Sequence, residues 1–584
     1  MADTDIGSPD PATTFAAEPG DVAAGPAAGR APGARIRRSR RGWLIVAVPA
    51  AVSLVLGGYQ IGSPSLWRDE AYTKDAITRP FGQIFALLGH QDAVHGAYYL
   101  LMHVVAAVLG TSAAALRFPS LCAMVIAAGF VAATGRRAAA LALAPAAADG
   151  APDTAAGATD TGRNGRGLDV PALTGLFAGL LFATAPYMTY YAQMARSYAI
   201  ETMFAVIASY LLLRAWPDGR WRWWLGYGAA VALTGLFNVF GLLILAAHGV
   251  TLLLTDARGQ TAPGRRAGRI PLRWVAAGGA ALIVLGPLLG LASRQQVQIA
   301  WLNRPTLNAM ERLLTNLAGS RPLIVPIALL ALGGLLAAWL ADHWRPLNPA
   351  AIALPWLVVP PFVLVAVSFV KPVYYVRYVE FCLPALAILA GAGLTGLVRL
   401  AAITPLRRSR PGRWRLGPLR LGGLGLAWLP AVLAVAVLPA LLAGPQQAIR
   451  QTAARPDNLR LASAIVAAHE QPGDVVFYIP ATMHVIGTGY PAPFGRLRDI
   501  ALNKSAIASS TLTGTEITRP ARLKSRFAAS SAGRVWVVTG ASNYRFPVPS
   551  TPVDKEKMAL VAAAGLHILH RWQAGEVMLT LYGP

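Results

Sequence analysis

The sequence predicts a polytopic α-helical membrane protein of about eleven spans with a small extracytoplasmic α/β domain at its C-terminal end. Three observations predict it. Of the 584 residues, 55% are hydrophobic and only 14% are charged, too apolar a balance for a soluble enzyme of this length. Apolar stretches long enough to cross a bilayer recur from Trp43 to Leu442. The formal charge of +25 is concentrated in arginine clusters between those stretches, which suits membrane topology better than nucleic-acid binding. Cys122 and Cys382 lie in apolar surroundings and read as packing residues, not as a disulfide framework.

Residues 1–41 read as a disordered cytoplasmic tail: 1–34 is rich in Ala, Gly, Pro and Asp, and a basic run from Arg35 to Arg41 follows. The membrane region spans 42–444. Its expected crossings are Trp43–Ile61, Phe118–Gly135, Val170–Tyr190, Ser197–Trp216, Trp221–Phe237, Val239–Thr255, Trp274–Ala292, Leu323–Ala341, Ile352–Val370, Phe381–Leu400 and Leu424–Leu442. His95–Gly110 is shorter and is taken as interfacial or re-entrant. Counting it as a span would put all four arginine clusters outside, against the positive-inside rule. The N-terminus is then inside and the C-terminus outside, and the unusual polar stretches share the outer face. Loop 138–169, rich in Ala, Gly and Asp, reads as disordered.

Residues 445–584 read as the α/β domain. Asp457 is expected to cap a helix through His469. Asp474–Ile479 and Arg534–Val538 read as buried strands, Asp554–Ala564 as a helix stopped by Gly565, and His567–Trp572 with Glu576–Tyr582 as a closing hairpin.

Three polar stretches on the outer face carry the candidate chemistry. The first is Trp67-Arg68-Asp69-Glu70-Ala71-Tyr72-Thr73, followed by Lys74. A carboxylate here suits a general base, and adjacent side chains point apart, so one acid acts while the other orients it or binds a partner. The alternative is that Asp69 caps a helix through Ala76 and Glu70 stabilises its first turn. The second is Tyr190–Tyr198. Arg196 between two apolar spans needs an anionic partner, which is either a lipid phosphate or one of the two acids. The third is Lys371–Tyr378, two cations among three tyrosines, read either as an aromatic belt or as part of an anion and sugar site. Glu380 is expected to pair with Arg377. His95 lies at the same face, with Tyr98 and Tyr99 as interfacial anchors. Loop Ser293–Arg321, with Gln295, Gln296, Gln298, Trp301 and Asn303, suits a sugar or a simple lid. His248 is a mid-span ionisable residue.

A divalent metal is left open, since no His-x-x-x-His pair or cysteine cluster is present to hold one. There is no Walker loop, no Gly-x-Gly-x-x-Gly after a strand and no usable Ser/His/Asp arrangement, which argues against an ATP-driven pump or a soluble-nucleotide transferase.

At these stretches the chain resembles the GT-C membrane glycosyltransferases, in the family 39-like branch of protein O-mannosyltransferases and the lipid A aminoarabinose transferase. The resemblance lies in Trp67–Tyr72, in His95–Tyr99 with Gly96-Ala97 where the family has prolines, in Gly110 with Arg117–Ser120, in Tyr191–Gln193 with Ala195–Tyr198, and in Arg377-Tyr378 before Pro384. It implies a polyprenyl-phosphate-sugar donor and an inverting transfer outside the cytoplasm. It also implies Asp69 as the base with Glu70 beside it, and Arg196, Lys74 or Arg377 on the donor phosphate. Arg68, His95, Tyr98, Gln193, Tyr198, Lys371 and Tyr375 complete the implied donor and sugar site. The partners are then the bilayer, the lipid-linked donor and a glycan, lipid or protein acceptor, with no nucleic acid. The location is a bacterial plasma membrane. The C-terminal domain lies outside the resemblance and is assigned to acceptor choice. Two other readings stand: a transporter or flippase for a lipid-linked saccharide, and an inactive envelope assembly factor.

Overall fold

The computed structural model of the chain describes residues 42–143, 169–256, 272–340, 347–403, 440–541 and 551–584. The N-terminal tail, most of loop 138–169, the last expected span apart from 440–442, and most of two arginine clusters lie outside the described residues. Residues 138–143 do not belong to a disordered loop: they extend a long helix, α5.

Among the described residues up to 403, fifteen α-helices build the membrane region. α1 (Leu44–Gly58) is followed by three short helices, α2 (Arg68–Ile77), α3 (Phe81–His90) and α4 (Gly96–Leu109). α5 (Ala113–Leu143), α6 (Val170–Thr184), α7 (Pro186–Ala192), α8 (Tyr198–Asp218), α9 (Trp221–Phe237) and α10 (Leu243–Asp256) come next. α11 (Leu272–Arg294), α12 (Leu307–Ala318), α13 (Ile324–Leu340), α14 (Pro349–Val370) and α15 (Leu383–Ile403) complete the set. Among the described residues, ten of the expected crossings contain one of these helices, and 440–442, all that is described of the eleventh, is also helical. Among the described residues, six helices are long and apolar enough to cross a membrane, or seven if α6 and α7 form one span bent by 63°. The bend falls at Ala185-Pro186, where proline cannot donate into the preceding turn. α4 has 14 residues, about 21 Å, and is too short for a ~30 Å hydrocarbon core.

α6 packs between α5 and α15, α1 lies against α5 and α6, and α8 sits between α5 and α9. α13 and α15 approach backbone to backbone: a Cβ on Gly393 would lie 1.9 Å from the Leu330 carbonyl oxygen. Lipid tails give no hydrophobic incentive for helices to associate, so such close contact between small residues replaces it. Inside the bundle His248 is buried and hydrogen-bonded to Ser209 Oγ (3.1 Å) and Tyr227 Oη (3.0 Å), and Trp274 Nε1 donates to Tyr227 Oη (2.9 Å). That network joins α8, α9, α10 and α11 and accounts for the mid-span histidine as interhelical polar glue.

The C-terminal segment folds as expected, around a five-stranded sheet in the order β2 (Arg498–Asp499), β1 (Val475–Ile479), β5 (Val535–Gly540), β7 (Val577–Gly583), β6 (His567–Ala574). β1 pairs parallel with β2 and β5, while β5–β7 and β7–β6 are antiparallel. β3 (Leu502–Lys504) and β4 (Thr515–Glu516) form a separate ribbon. Because side chains alternate, Val476, Tyr478, Trp536 and Val538 face the helix Leu459–His469, and Val475, Phe477, Val535 and Val537 face Leu523, Leu560 and Val561. This double burial explains the unbroken apolar runs. The expected helix at 554–564 begins two residues earlier, at Pro552, with Thr551 and Asp554 forming a capping box.

One local expectation fails. Asn458, not Asp457, caps the helix Leu459–His469, its side chain accepting from Leu461 N at 3.1 Å. Asp457 is used elsewhere: it is fully buried and takes Arg68 Nε at 2.7 Å and Nη2 at 2.5 Å, and also the Arg68 backbone N–H. Ala71 of α2 is part of the same core as Leu459 and Val476. The sheet segment is thus docked on α2 by a two-pronged ion pair and a shared core. We predict that Asp457→Asn lowers stability by about 3 kcal/mol, because it removes the buried carboxylate charge that the Arg68 guanidinium grips with two prongs. Limited proteolysis should release the C-terminal segment faster from the variant than from the native protein.

Candidate functional site

α2 places its two acids by helical geometry alone. Trp67 occupies the N-cap position, so Asp69 does not cap the helix. Both acids lie in the first turn, about 100° apart around the axis.

Glu70 points inward and is fully buried. Arg117 of α5 grips it with Nε to Oε1 at 2.8 Å and Nη2 to Oε2 at 2.7 Å, and Ala195 N donates to Oε1 at 2.8 Å. The other Arg117 donors reach the carbonyls of Ile61 (2.9 Å), Pro64 (3.0 Å) and Ser65 (3.1 Å). Every guanidinium N–H is used, so this one side chain fixes the loop between α1 and α2. Burial raises the Glu70 carboxyl, but Arg117 outweighs it and holds the group below the usual carboxylate range. Glu70 is the acid that binds a partner.

Asp69 points the other way and keeps 14% of its side-chain surface exposed. Arg377 Nη1 donates to Oδ2 at 2.5 Å. Burial pushes the Asp69 carboxyl up. Arg377 first, then Arg196 and Arg68, overcome that and hold it below the usual range. The Arg377 guanidinium lies over the rings of Tyr375 (4.7 Å), Trp67 (5.8 Å) and Tyr198 (5.9 Å). This part of Lys371–Tyr378 is therefore not a surface belt.

Arg196 sits in the short loop between α7 and α8, 7% exposed. It makes no ion pair with either acid: Nη1 reaches the Asp69 carbonyl at 3.4 Å and Nη2 contacts His95 Nε2 at 2.6 Å. Since arginine only donates, His95 Nε2 accepts, and its Nδ1–H points to Asp92 Oδ1 at 2.9 Å. Asp92 has left-handed backbone (φ 65°) and also accepts from Tyr99 Oη. The loop carrying Arg196 is pinned on all sides. Ser120 Oγ donates to Met194 O (2.7 Å), Thr73 Oγ1 to Ala195 O (3.2 Å) and Arg455 Nη2 to Gln193 O (2.5 Å). The Gln193 amide donates to Gly57 O and Tyr59 O, both at 2.9 Å. Around Asp69, Trp67 Nε1, Arg196 Nε and Arg377 Nε are buried N–H groups without a partner. Unused donors of this kind are rare unless a further acceptor belongs there.

The structure thus brings Asp69, His95, Arg196, Tyr198, Tyr375 and Arg377 together, with Trp67 and Asp92 added. Glu70, Gln193 and Arg68 support the site from behind. Lys74 and Lys371 do not join it: Lys74 Nζ donates to Gly489 O (2.9 Å) and Lys371 to Gln296 Oε1. Tyr98 and Tyr99 are fully buried and so are not interfacial anchors. Glu380 is buried and makes no ion pair with Arg377, which is already engaged by Asp69. Gln295 is used on backbone, accepting from Ala93 N (2.9 Å) and donating to Leu88 O (2.9 Å), while Trp301 packs edge-on against Tyr375. Among the described residues, no three His, Cys, Asp or Glu side chains form a group that could hold a metal ion. Asp92 was not singled out from the sequence. Its Asp-x-x-His spacing to His95 is the signal that would have found it.

An accessible acid between two arginines is thus set beside a bundle of apolar helices, and the fold is GT-C-type. A family model for dolichyl-phosphate-mannose-protein mannosyltransferases matches residues 170–298. ArnT from Cupriavidus metallidurans in the apo state shares the fold, with TM-score 0.52 and 14% identity over 92% of this chain and 98% of that one. ArnT bound to undecaprenyl phosphate gives TM-score 0.51 and 15% identity over 93% and 98%. No curated protein matches the chain by sequence. The resemblance to GT-C, family 39-like membrane glycosyltransferases is borne out by the family match and the shared fold. One correction follows: coverage of 92% must include most of 445–584, so the likeness extends into the C-terminal segment.

Proposed function

We propose that this chain is an integral membrane glycosyltransferase. It moves a sugar from a polyprenyl-phosphate donor to a cell-envelope acceptor on the extracytoplasmic face, with inversion. One observation carries the reading. Asp69 is an ionised, partly exposed carboxylate flanked by Arg196 and Arg377, whose buried Nε donors are unused. In such a transfer the lipid phosphate is the leaving group. Fixed cations stabilise the charge that develops on its oxygens, so no acid is needed there. Asp69 accepts the proton of the acceptor hydroxyl. The Asp92–His95 pair holds Arg196 in place. That ArnT was solved with undecaprenyl phosphate supports a lipid phosphate as the ligand class.

The test is undecaprenyl phosphate binding to the purified protein. Arg377→Gln should weaken it about tenfold or more, the loss of a charge-assisted contact. The same variant has a pH signature. Without Arg377 the Asp69 carboxyl rises, so the acid limb of transfer moves to higher pH. Unchanged affinity together with an unchanged acid limb would remove Arg377 from the site. Transport of a lipid-linked saccharide is the second reading, and one observation favours it: Glu201 is fully buried in α8, accepting from Asn238 Nδ2 at 2.7 Å, with Glu380 also buried within the bundle. That reading requires Glu201→Gln to abolish activity, whereas the transferase reading expects transfer to survive it.

A further inference from the structure

A second concentration of charge lies at the end of the bundle away from Asp69. Arg137 stands 20 residues beyond Arg117 on α5, about 30 Å along the axis, which is the thickness of a hydrocarbon core. Arg214 stands 16 residues beyond Tyr198 on α8, about 24 Å from the site. Arg222 and Arg273 come from the first turns of α9 and α11. α8 packs against α5 and α9, and α9 against α11, which gathers the four guanidiniums at one boundary of the membrane region. Arg273 reaches the turn between α8 and α9, where a Cβ on Gly219 would lie 3.4 Å from its Nη1.

Two tryptophans organise the cluster. Arg214 lies 4.8 Å and Arg222 5.0 Å from the Trp223 ring centre, and Arg273 lies 5.4 Å from that of Trp221. Arg137 faces Arg214 closely enough for the two charges to repel. The Nε donors of both are buried and have no partner. Asp218 is the one acid that these four helices carry at this end. Its Oδ2 accepts from Trp223 Nε1 at 2.7 Å, and it makes no ion pair with an arginine among the described residues.

Facing guanidiniums with unused buried donors call for an anion between them. Guanidinium forks match phosphate oxygens two at a time, and tryptophan favours the headgroup layer. Trp221 and Arg222 are exposed, so the cluster opens toward the membrane boundary. Leu225, one turn further along α9, is 67% exposed and offers an apolar contact to an acyl chain. We propose that this cluster binds the phosphate of an anionic phospholipid in the leaflet opposite the site. The proposal rests on the membrane fold and not on the transferase reading. The shared anion turns the repulsion between Arg137 and Arg214 into attraction and clamps α5 to α8 and α9.

The test is thermal melting of the full-length protein in maltoside micelles with added phosphatidylglycerol, phosphatidylcholine or inorganic phosphate. Phosphatidylglycerol should raise the melting temperature of the native protein, and the other two should not. Arg137→Gln/Arg214→Gln should need at least fivefold more phosphatidylglycerol for the half-maximal shift. If that variant melts early without lipid, the exposed Arg222→Gln carries the comparison, with at least a twofold change. Arg196→Gln/Arg377→Gln should keep the native response, which separates this cluster from the donor site. No shift with phosphatidylglycerol, or the same shift with phosphatidylcholine or inorganic phosphate, overturns the proposal. So does an unchanged response in the cluster variants, or a response lost with Arg196 and Arg377.

Discussion

Asp69→Asn should lower sugar transfer by a factor of about 10²–10⁴, the range for losing a positioned general base, while the protein folds and binds its donor. The amide is nearly isosteric and leaves Arg196, His95 and Tyr198 where they are, but it cannot take the proton. It also lacks the charge that Arg377 faces, so donor binding should hold or tighten. Steady-state transfer beside undecaprenyl phosphate affinity makes the check. Transfer within threefold of native would remove Asp69 as the base. Transfer and donor affinity lost together would instead point to a structural role. In the native protein Arg377 and Arg196 depress the Asp69 carboxyl. The ion pair therefore stabilises the fold fully above the ordinary carboxylate range and loses that contribution as pH falls through the depressed value.

Arg117→Met should be the most damaging single change to the fold. It leaves Glu70 charged and fully buried, with only the Ala195 N–H on Oε1, and frees three carbonyls of the loop between α1 and α2. Breaking a buried pair from one side costs about 3–5 kcal/mol. That is a large part of the stability of an ordinary domain. The variant should give little monodisperse protein after detergent extraction. Glu70→Gln should be milder, since its amide oxygen can still accept from Arg117 or Ala195. The sign with pH follows from Glu70. Its depressed carboxyl stabilises the fold above the ordinary range, and that contribution fades as acid protonates it. Normal yield and melting of Arg117→Met would show that the pair is dispensable.

Much of the architecture was legible because it follows from local rules. Apolar stretches with basic flanks marked the helices, and turn residues such as Gly565 marked the ends of elements in the sheet segment. The division of labour between Asp69 and Glu70 was legible in outline, because adjacent helical residues cannot point the same way. Which acid faces which arginine was not. That depends on Arg117 and Arg377 arriving from 47 and 308 residues away. Lys74 and Lys371 were misjudged for the same reason: a cation near a motif in sequence takes whatever acceptor the packed structure offers. For Lys74 that acceptor is the Gly489 carbonyl. Asp457 shows the limit of a local rule, since a carboxylate ahead of a helix caps it only when no stronger partner such as Arg68 competes.

The most direct test of the central claim is product formation by the native protein in sealed proteoliposomes supplied with a panel of polyprenyl-phosphate sugars and envelope lipid or glycan acceptors. The account predicts sugar covalently attached to an acceptor, with released polyprenyl phosphate and an inverted anomeric configuration. Movement of a lipid-linked sugar between leaflets with no donor cleaved would contradict it and leave a transporter with this fold.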